Sequence, residues 1–340
     1  MINHSESTML GYTGDLVLQN TESVSNAIFD TIRDKCDSMG AELIVNLESP
    51  FIKDDFKTIK NKICLGADFK NVTKLKNLNP LLINLSNNHF NDYGVSGSEL
   101  TKEVLDELGL KYFGVGKRGQ IQLIDHTNEH VVNIAFTLRS ADQSGALLFA
   151  TDDIDGPGDL DLSLINKIKN KYREKSIVVS VHWGNEDISI PDFSIRKIAR
   201  EIIDAGADLI IGHHPHIIQP METYRGKMIF YSLGNFYFPT IKYNFNDREI
   251  IKSPLKHQTE GIIPIFDFKN GVELKTILLV KNLNDSQNIT EIESFQLVIP
   301  SYKYSIYPYL FWRKEIARLI KYYTVRIFEK VTACLRSKKN

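Results

Sequence analysis

Short runs of β-branched and other apolar residues recur along the chain, at residues 42–46, 81–85, 131–136, 176–181, 208–211 and 228–231. Their length and composition predict buried strands. Between them, residues 95–108 ahead of Gly109 and residues 193–204 ahead of Ala205-Gly206 carry helix-like patterns that end on a glycine stop. Strand and helix alternate, so the expected fold class is α/β, with sheets covered by helices. From Glu260 the pattern changes to residues 261–268 and 272–280 around the turn Lys269-Asn270-Gly271, a hairpin expected to close a sheet edge. Residues 151–161, with Gly156-Pro157-Gly158, predict a loop, and Ile241 to Gln258 predict an irregular, polar, mobile segment that is a candidate lid.

The last stretch, Tyr309 to Asn340, repeats apolar residues at roughly helical spacing among basic ones, with nine Lys or Arg from Arg313 onward against Glu315 and Glu329. A basic amphipathic helix is expected, to lie on an anionic membrane surface, to dock a partner, or to pack on the core with its basic face solvated. Over all 340 residues the balance is 41 basic to 42 acidic, so no overall field favours nucleic acid and none is expected as a partner. Cys36, Cys64 and Cys334 are too few and too irregular for a disulfide framework or a zinc-thiolate motif, which fits a reducing compartment. The N-terminal residues lack the pattern of a signal peptide, and no apolar run approaches the length of a transmembrane helix. The expected location is therefore cytoplasmic, peripheral at the inner face of the membrane if the basic helix binds there.

Five segments place metal-ligand side chains at the ends of expected strands. Gly14-Asp15 offers a carboxylate on a glycine turn, or an ordinary turn Asp. In NLESP, Glu48 follows an apolar strand, where a carboxylate is costly to desolvate unless a cation or donor meets it, or unless it is surface-exposed. In SNNHFNDYG, Asn88, His89 and Asp92 offer an amide oxygen, an imidazole and a carboxylate, with Asp92 or Ser96 as a helix cap in the plainer reading. His182 closes the strand SIVVSV before Trp183-Gly184. GHHPH, residues 212–216, holds His213, His214 and His216, three imidazoles for which a shared cation is the economical explanation and a polar surface loop the alternative. Such ligands converge if the strands lie side by side and share one carboxyl edge.

In this order, and with the segment GADLIIGHHPHIIQPMETYRGKMIFYSLGNF at residues 206–236, the chain resembles the bacterial CapA, or poly-γ-glutamate capsule synthesis, family of the calcineurin-like metallophosphoesterase superfamily. The resemblance, which runs from about Leu10 to Phe238, implies a four-layer α/β/β/α sandwich, expected over residues 8–300, and the basic residue pattern makes residues 301–340 the C-terminal basic amphipathic helical extension. It implies Asp15, Glu48, Asn88, His182, His214 and His216 as ligands of two divalent ions (Mn, Fe or Zn), His89 as general acid and Asp92 as its orienting partner. Trp183, His213 and Asn235 are expected near the substrate pocket, although packing is an equal role for the turn at Gly234-Asn235. The superfamily pattern Asp-x-His is broken by Val17, and a Glu replaces the second motif's Asp, so one of the two metal positions is expected to be weak or empty. The implied activity is metal-dependent hydrolysis of a phosphoester in capsule or exopolymer synthesis. Two alternatives stand beside it: a non-hydrolytic accessory component that binds polymer or synthase, and hydrolysis of a polymer amide bond.

Overall fold

The apolar runs at residues 41–47, 131–137, 176–182 and 209–213 alternate between two buried environments, and that alternation generates the architecture. Leu43, Val45 and Leu47 pack with helices Ala27–Ser38, Val72–Leu78 and Gly94–Glu107. Their neighbour Ile44 packs instead with Leu10, Tyr12, Ala135, Val178, Leu209, Ile211 and Phe230, a cluster drawn from both principal sheets. In the second sheet, Ile177, Val179, Val181 and Ile210 turn the other way, onto helices Leu162–Lys171 and Phe193–Asp204. Each buried apolar side chain contributes roughly 1.5–3 kcal/mol, so these three clusters carry most of the driving force for folding.

The computed structural model describes residues 8–19, 25–60, 62–120, 124–125, 130–142, 144–245, 248–283 and 286–292. The larger sheet runs in the order Ser286–Ile292, Glu273–Leu283, Glu260–Asp267, Met9–Leu16, Ala41–Leu47, Leu82–Asn84, Lys111–Phe113, with Asn235–Tyr237 also paired to the end of Met9–Leu16. The second runs Met221–Tyr224, Lys227–Phe230, Leu209–His213, Ser176–His182, Val131–Thr137, Ile124–Asp125. The central strands of both sheets are parallel. Their carboxyl ends therefore gather on one edge in each sheet.

Helix Phe193–Asp204 falls on its expected span and is capped by the Asp192 side chain, which accepts from Ile195 N at 2.8 Å. Three expectations are corrected. The Glu260–Asp267 and Glu273–Leu283 hairpin does not end the sheet, because Ser286–Ile292 pairs beyond it. Residues 241–258 are not irregular: Ile241–Phe245 and Arg248–Lys252 form an antiparallel pair, followed by a short 3-10 turn at Lys256–Gln258. Asp92 caps no helix, since the Gly94–Glu107 helix begins after Tyr93 without a side-chain cap.

The chain divides into two compact units, Met1–Val298 and Ile299–Asn340. The second, and with it the expected basic helix, lies outside the described residues. Among the described residues no helix is long and apolar enough to cross a membrane.

Candidate metal centre

Five strand ends deliver the polar side chains that the sequence singles out. Asp15 lies at the end of Met9–Leu16, where the chain bulges between Tyr12 and Asp15 and the register passes to Asn46 on one side and Asn235 on the other. Gly14 permits that approach: a Cβ there would sit 2.1 Å from the Gly234 carbonyl oxygen. Glu48 follows Ala41–Leu47, Asn88 and His89 follow Leu82–Asn84, His182 ends its strand, and His213 to His216 leave Leu209–His213. His214 and His216 take positive φ values of 94° and 57°, a backbone strain of about 1–3 kcal/mol each that aims both imidazoles back at the strand ends.

Asp15 is saturated with donors. Its Oδ1 accepts from Asn46 Nδ2 at 2.8 Å and lies 3.1 Å from His213 Nδ1, while Oδ2 accepts from His214 N at 3.2 Å and lies 3.3 Å from His216 Nδ1. Burial opposes its charge, but the His213 and His216 contacts outweigh burial and hold its carboxyl well below the usual range. Asn46 is in turn fixed by Asn84 Nδ2, which donates to its Oδ1 at 3.1 Å. A chain of side-chain amides thus sets the Asp15 rotamer.

Glu48 is the opposite case. It is fully buried, and neither carboxylate oxygen has a hydrogen-bond partner among the described residues. Around Oε1 stand His182 Nε2 at 3.5 Å, His89 Nε2 at 3.9 Å and His216 Nε2 at 3.9 Å. Asn88 Oδ1 lies 2.8 Å from His182 Nε2, while its amide group donates to the Ala141 carbonyl at 3.2 Å. Both ring nitrogens of buried His214 are also bare, as is His182 Nδ1. Bare polar atoms at this depth cost about 1–3 kcal/mol each, more for charged groups. A cation bound among them removes that penalty.

The titration of these groups follows. Burial, and next the Asp15 charge, push the Glu48 carboxyl well above its ordinary value. Burial holds His182 well below the usual imidazole value and His214 at about 3, so both rings are neutral and their lone pairs are available to a metal. Burial also opposes a proton on His216, but the Glu48 and Asp15 carboxylates overcome it and raise that ring to about 10. Three sets of ligand atoms lie within 4.8 Å of one another: Glu48, His182 and His214; Asp15, Glu48 and His216; and Glu186, His214 and His216. Carboxylate, amide and imidazole donors in this mixture fit a divalent ion of the Mn, Fe or Zn type.

Beside this cluster His89 Nδ1 meets Asp92 Oδ2 at 2.5 Å. Asp92 also accepts from Leu65 N at 2.7 Å and from buried Lys62 Nζ at 2.7 Å. Lys62 Nζ bonds the Asn88 backbone carbonyl as well, tying the His89–Asp92 pair to the residue beside it. With Nδ1 engaged, His89 presents Nε2 to the Glu48 side of the crevice. Burial lowers its pKa, against the pull of Asp92.

The sequence-selected residues Asp15, Glu48, Asn88, His89, Asp92, His182, His213, His214 and His216 come together. Trp183 lies away from them, and Asn235 adjoins them. Trp183 is fully buried in the helix-covered cluster and donates its indole N–H to the Tyr231 carbonyl at 2.8 Å, so its bulk goes into packing instead of lining a pocket. Asn235 is buried too, and its Oδ1 lies 3.0 Å from His216 Nδ1 while its amide donates to the Gln258 carbonyl at 2.9 Å, which orients the imidazole. Lys62 and Glu186 escape the sequence reading. Lys62 sits in a polar run without periodicity, and only its pairing with Asp92 distinguishes it from neighbouring lysines. Glu186, three residues after Trp183, could have been found by extending the His182 segment to the next carboxylate.

These observations define a mixed α/β protein with a buried crevice of carboxylates, amide and imidazoles at parallel strand ends, suited to divalent cations. The chain belongs to the bacterial capsule synthesis protein (PGA_cap) family, whose model matches residues 9–240. It is 33% identical over 224 residues to the PGA biosynthesis protein CapA of Bacillus subtilis (strain 168), covering 64% of this chain and 58% of that protein. It is 32% identical over 230 residues to the capsule biosynthesis protein CapA of Bacillus anthracis, covering 65% and 56%. A probable polyglutamine synthesis accessory protein of Mycobacterium tuberculosis (strain CDC 1551 / Oshkosh) is 27% identical over 209 residues, covering 56% and 54%. The chain therefore matches only a little over half the length of these relatives.

Proposed function

We propose that this chain is a metal-dependent hydrolase of phosphoester type acting in the synthesis of a capsule or exopolymer of the poly-γ-glutamate kind. The observation that carries this reading is Glu48, a fully buried carboxylate whose oxygens are both bare among the described residues and whose Oε1 faces His182, His89 and His216. Asp15, Glu48, Asn88, His182, His214 and His216 would hold up to two divalent ions. Such ions supply Lewis acidity, polarising a phosphoryl oxygen and lowering the pKa of water.

The chain's own residues provide the rest. His89, held through Nδ1 by Asp92, is the group that gives a proton from Nε2 to a leaving oxygen. Lys62 holds Asp92 in position through its 2.7 Å contact with Oδ1. Asn46 and Asn84 fix Asp15, and Asn235 fixes His216. The four-layer α/β/β/α arrangement over residues 8–300 is supported by the three apolar clusters, one between the sheets and one under the helices of each. A cytoplasmic location, with membrane-surface or synthase contact through the basic residues of 301–340, completes the proposal.

The test is hydrolysis of mono-aryl and bis-aryl phosphates in added Mn²⁺, with metal content measured alongside. Turnover with bound metal, lost in His89→Ala and in His214→Ala, supports the enzyme. Bound metal without turnover of either ester supports a second reading, a non-hydrolytic accessory role in polymer assembly, which the name of the mycobacterial relative favours. Release of glutamate from a poly-γ-glutamate chain would instead favour amide hydrolysis.

A further inference from the structure

We propose that Glu186 is a metal ligand of this centre, holding, with His214 and His216, a divalent cation on the solvent side of the crevice. The inference rests on the metal-centre reading above and deepens it. Its first ground is the ligand set itself: one carboxylate oxygen of Glu186 and one ring nitrogen each of His214 and His216 lie within 4.8 Å of one another. The second ground is His214, 2% exposed, whose two ring nitrogens have no partner among the described residues. The neutral ring has one lone pair to give a cation and one N–H to donate, and neither is engaged among the described residues.

The third ground is a shortage of donors on the His216 side. Asp15 already takes four close contacts, from Asn46, His213, His214 N and His216, so as a ligand it does not complete the donor set on that side alone. Two positions further along, Val17 packs with Leu65 and Ile241 and offers no ligand atom. A divalent ion of this kind seeks four to six donors, so another carboxylate is needed there.

The loop carrying Glu186 is held in place to supply it. The adjacent Asp187 donates its backbone N–H to the Pro215 carbonyl at 2.9 Å, inside the histidine turn, and its side chain accepts from Gln258 Nε2 at 2.8 Å. Ile188 O accepts from Gln219 Nε2 at 2.7 Å. Glu186 is half-buried where Glu48 is fully buried, which makes the ion it holds the exchangeable one of two. Because His214 and His216 also belong to the other two groups, Glu186 completes the second ion and does not add a third.

The experiment is calorimetric titration of the metal-stripped full chain with Mn²⁺, comparing wild type with Glu186→Gln, Glu186→Asp and Glu48→Gln, with circular dichroism to verify folding. Two Mn²⁺ are expected in wild type. In folded Glu186→Gln the tighter ion stays within about threefold of its affinity and the weaker loses at least tenfold, consistent with about 1.4 kcal/mol or more; Glu186→Asp recovers part of it. A Glu186→Gln isotherm superimposable on wild type, while Glu48→Gln loses binding, overturns the role of Glu186 and leaves the metal centre standing. Absence of Mn²⁺ binding in wild type overturns both. Two ions with the expected Glu186 effect but no ester hydrolysis leave this inference intact and sink only the hydrolase.

Discussion

Asp208 and Glu48 are both buried carboxylates at the ends of parallel strands, and the fold treats them in opposite ways. Asp208, at the amino end of Leu209–His213, accepts from Lys227 Nζ at 2.6 Å, Lys169 Nζ at 2.9 Å and Ile177 N at 2.9 Å. Burial works against its charge, but these three donors win and hold its pKa below the ordinary value. Glu48, at the carboxyl end of Ala41–Leu47, receives no hydrogen bond among the described residues, and burial pushes its pKa up. Asp208 is satisfied by two of the chain's own lysines and a backbone N–H, whereas Glu48 is not met by any such donor among the described residues. A buried carboxylate left without a donor calls for an explanation, and the proposed cation site at this end of the sheets supplies one.

The largest break of this contrast comes from separating the acid from the ligands. His89→Ala is expected to lower ester hydrolysis by about 10²–10⁴-fold while the metal content stays at the wild-type value, measured by steady-state kinetics and elemental analysis. Loss of metal in the same variant would place His89 among the ligands.

Titration sharpens the comparison further. In metal-free protein His216 has a folded pKa of about 10, raised above its ordinary 6.5. Its contribution to stability is therefore fully present below pH 6.5 and is lost as pH rises through about 10. Urea midpoints of the metal-free protein should fall across that window, and His216→Gln should flatten the fall. An equal alkaline decline in the variant would remove His216 as its origin.

The satisfied carboxylate is next. Asp208→Asn should destabilise the metal-free protein by about 2 kcal/mol in urea unfolding, because its charge-assisted bonds to two lysines weaken together. Mn²⁺ binding should be unchanged. The smallest effect is expected at Trp183→Phe, which gives up the bond to Tyr231 and some packing, costing about 1 kcal/mol with metal stoichiometry intact. A large change in substrate KM in that variant would restore Trp183 to the pocket.

What the sequence discloses is what local pattern encodes. The apolar runs around residues 42–46 and 176–181 mark strands because burial on both faces demands uninterrupted apolar residues, and Phe193–Asp204 shows its period and its cap. The strand-end clusters are legible because Asp15, Glu48, His182 and GHHPH each follow such a run. Helices Ala27–Ser38 and Leu162–Lys171 are not legible to the same degree, being mostly polar with apolar stripes of a few residues. The pair Ile241–Phe245 and Arg248–Lys252 hides for a similar reason, with charged residues interleaved along both strands. Lys62 is beyond local pattern altogether, since its contact with Asp92 is made only by the tertiary fold, while Glu186 lies within reach of the His182 segment but is set beside the histidine turn only by that fold.

The most direct test of the central claim is the unfolding midpoint of wild type and Glu48→Gln as a function of added Mn²⁺. Wild type should gain stability with the logarithm of metal concentration, about 2.7 kcal/mol at a hundred times the dissociation constant. Glu48→Gln should start from an equal or higher metal-free midpoint, having lost a bare buried carboxyl, and gain almost nothing. A wild-type midpoint indifferent to Mn²⁺, or a Glu48→Gln protein protected as strongly as wild type, would contradict the assignment of Glu48 as the heart of a cation site.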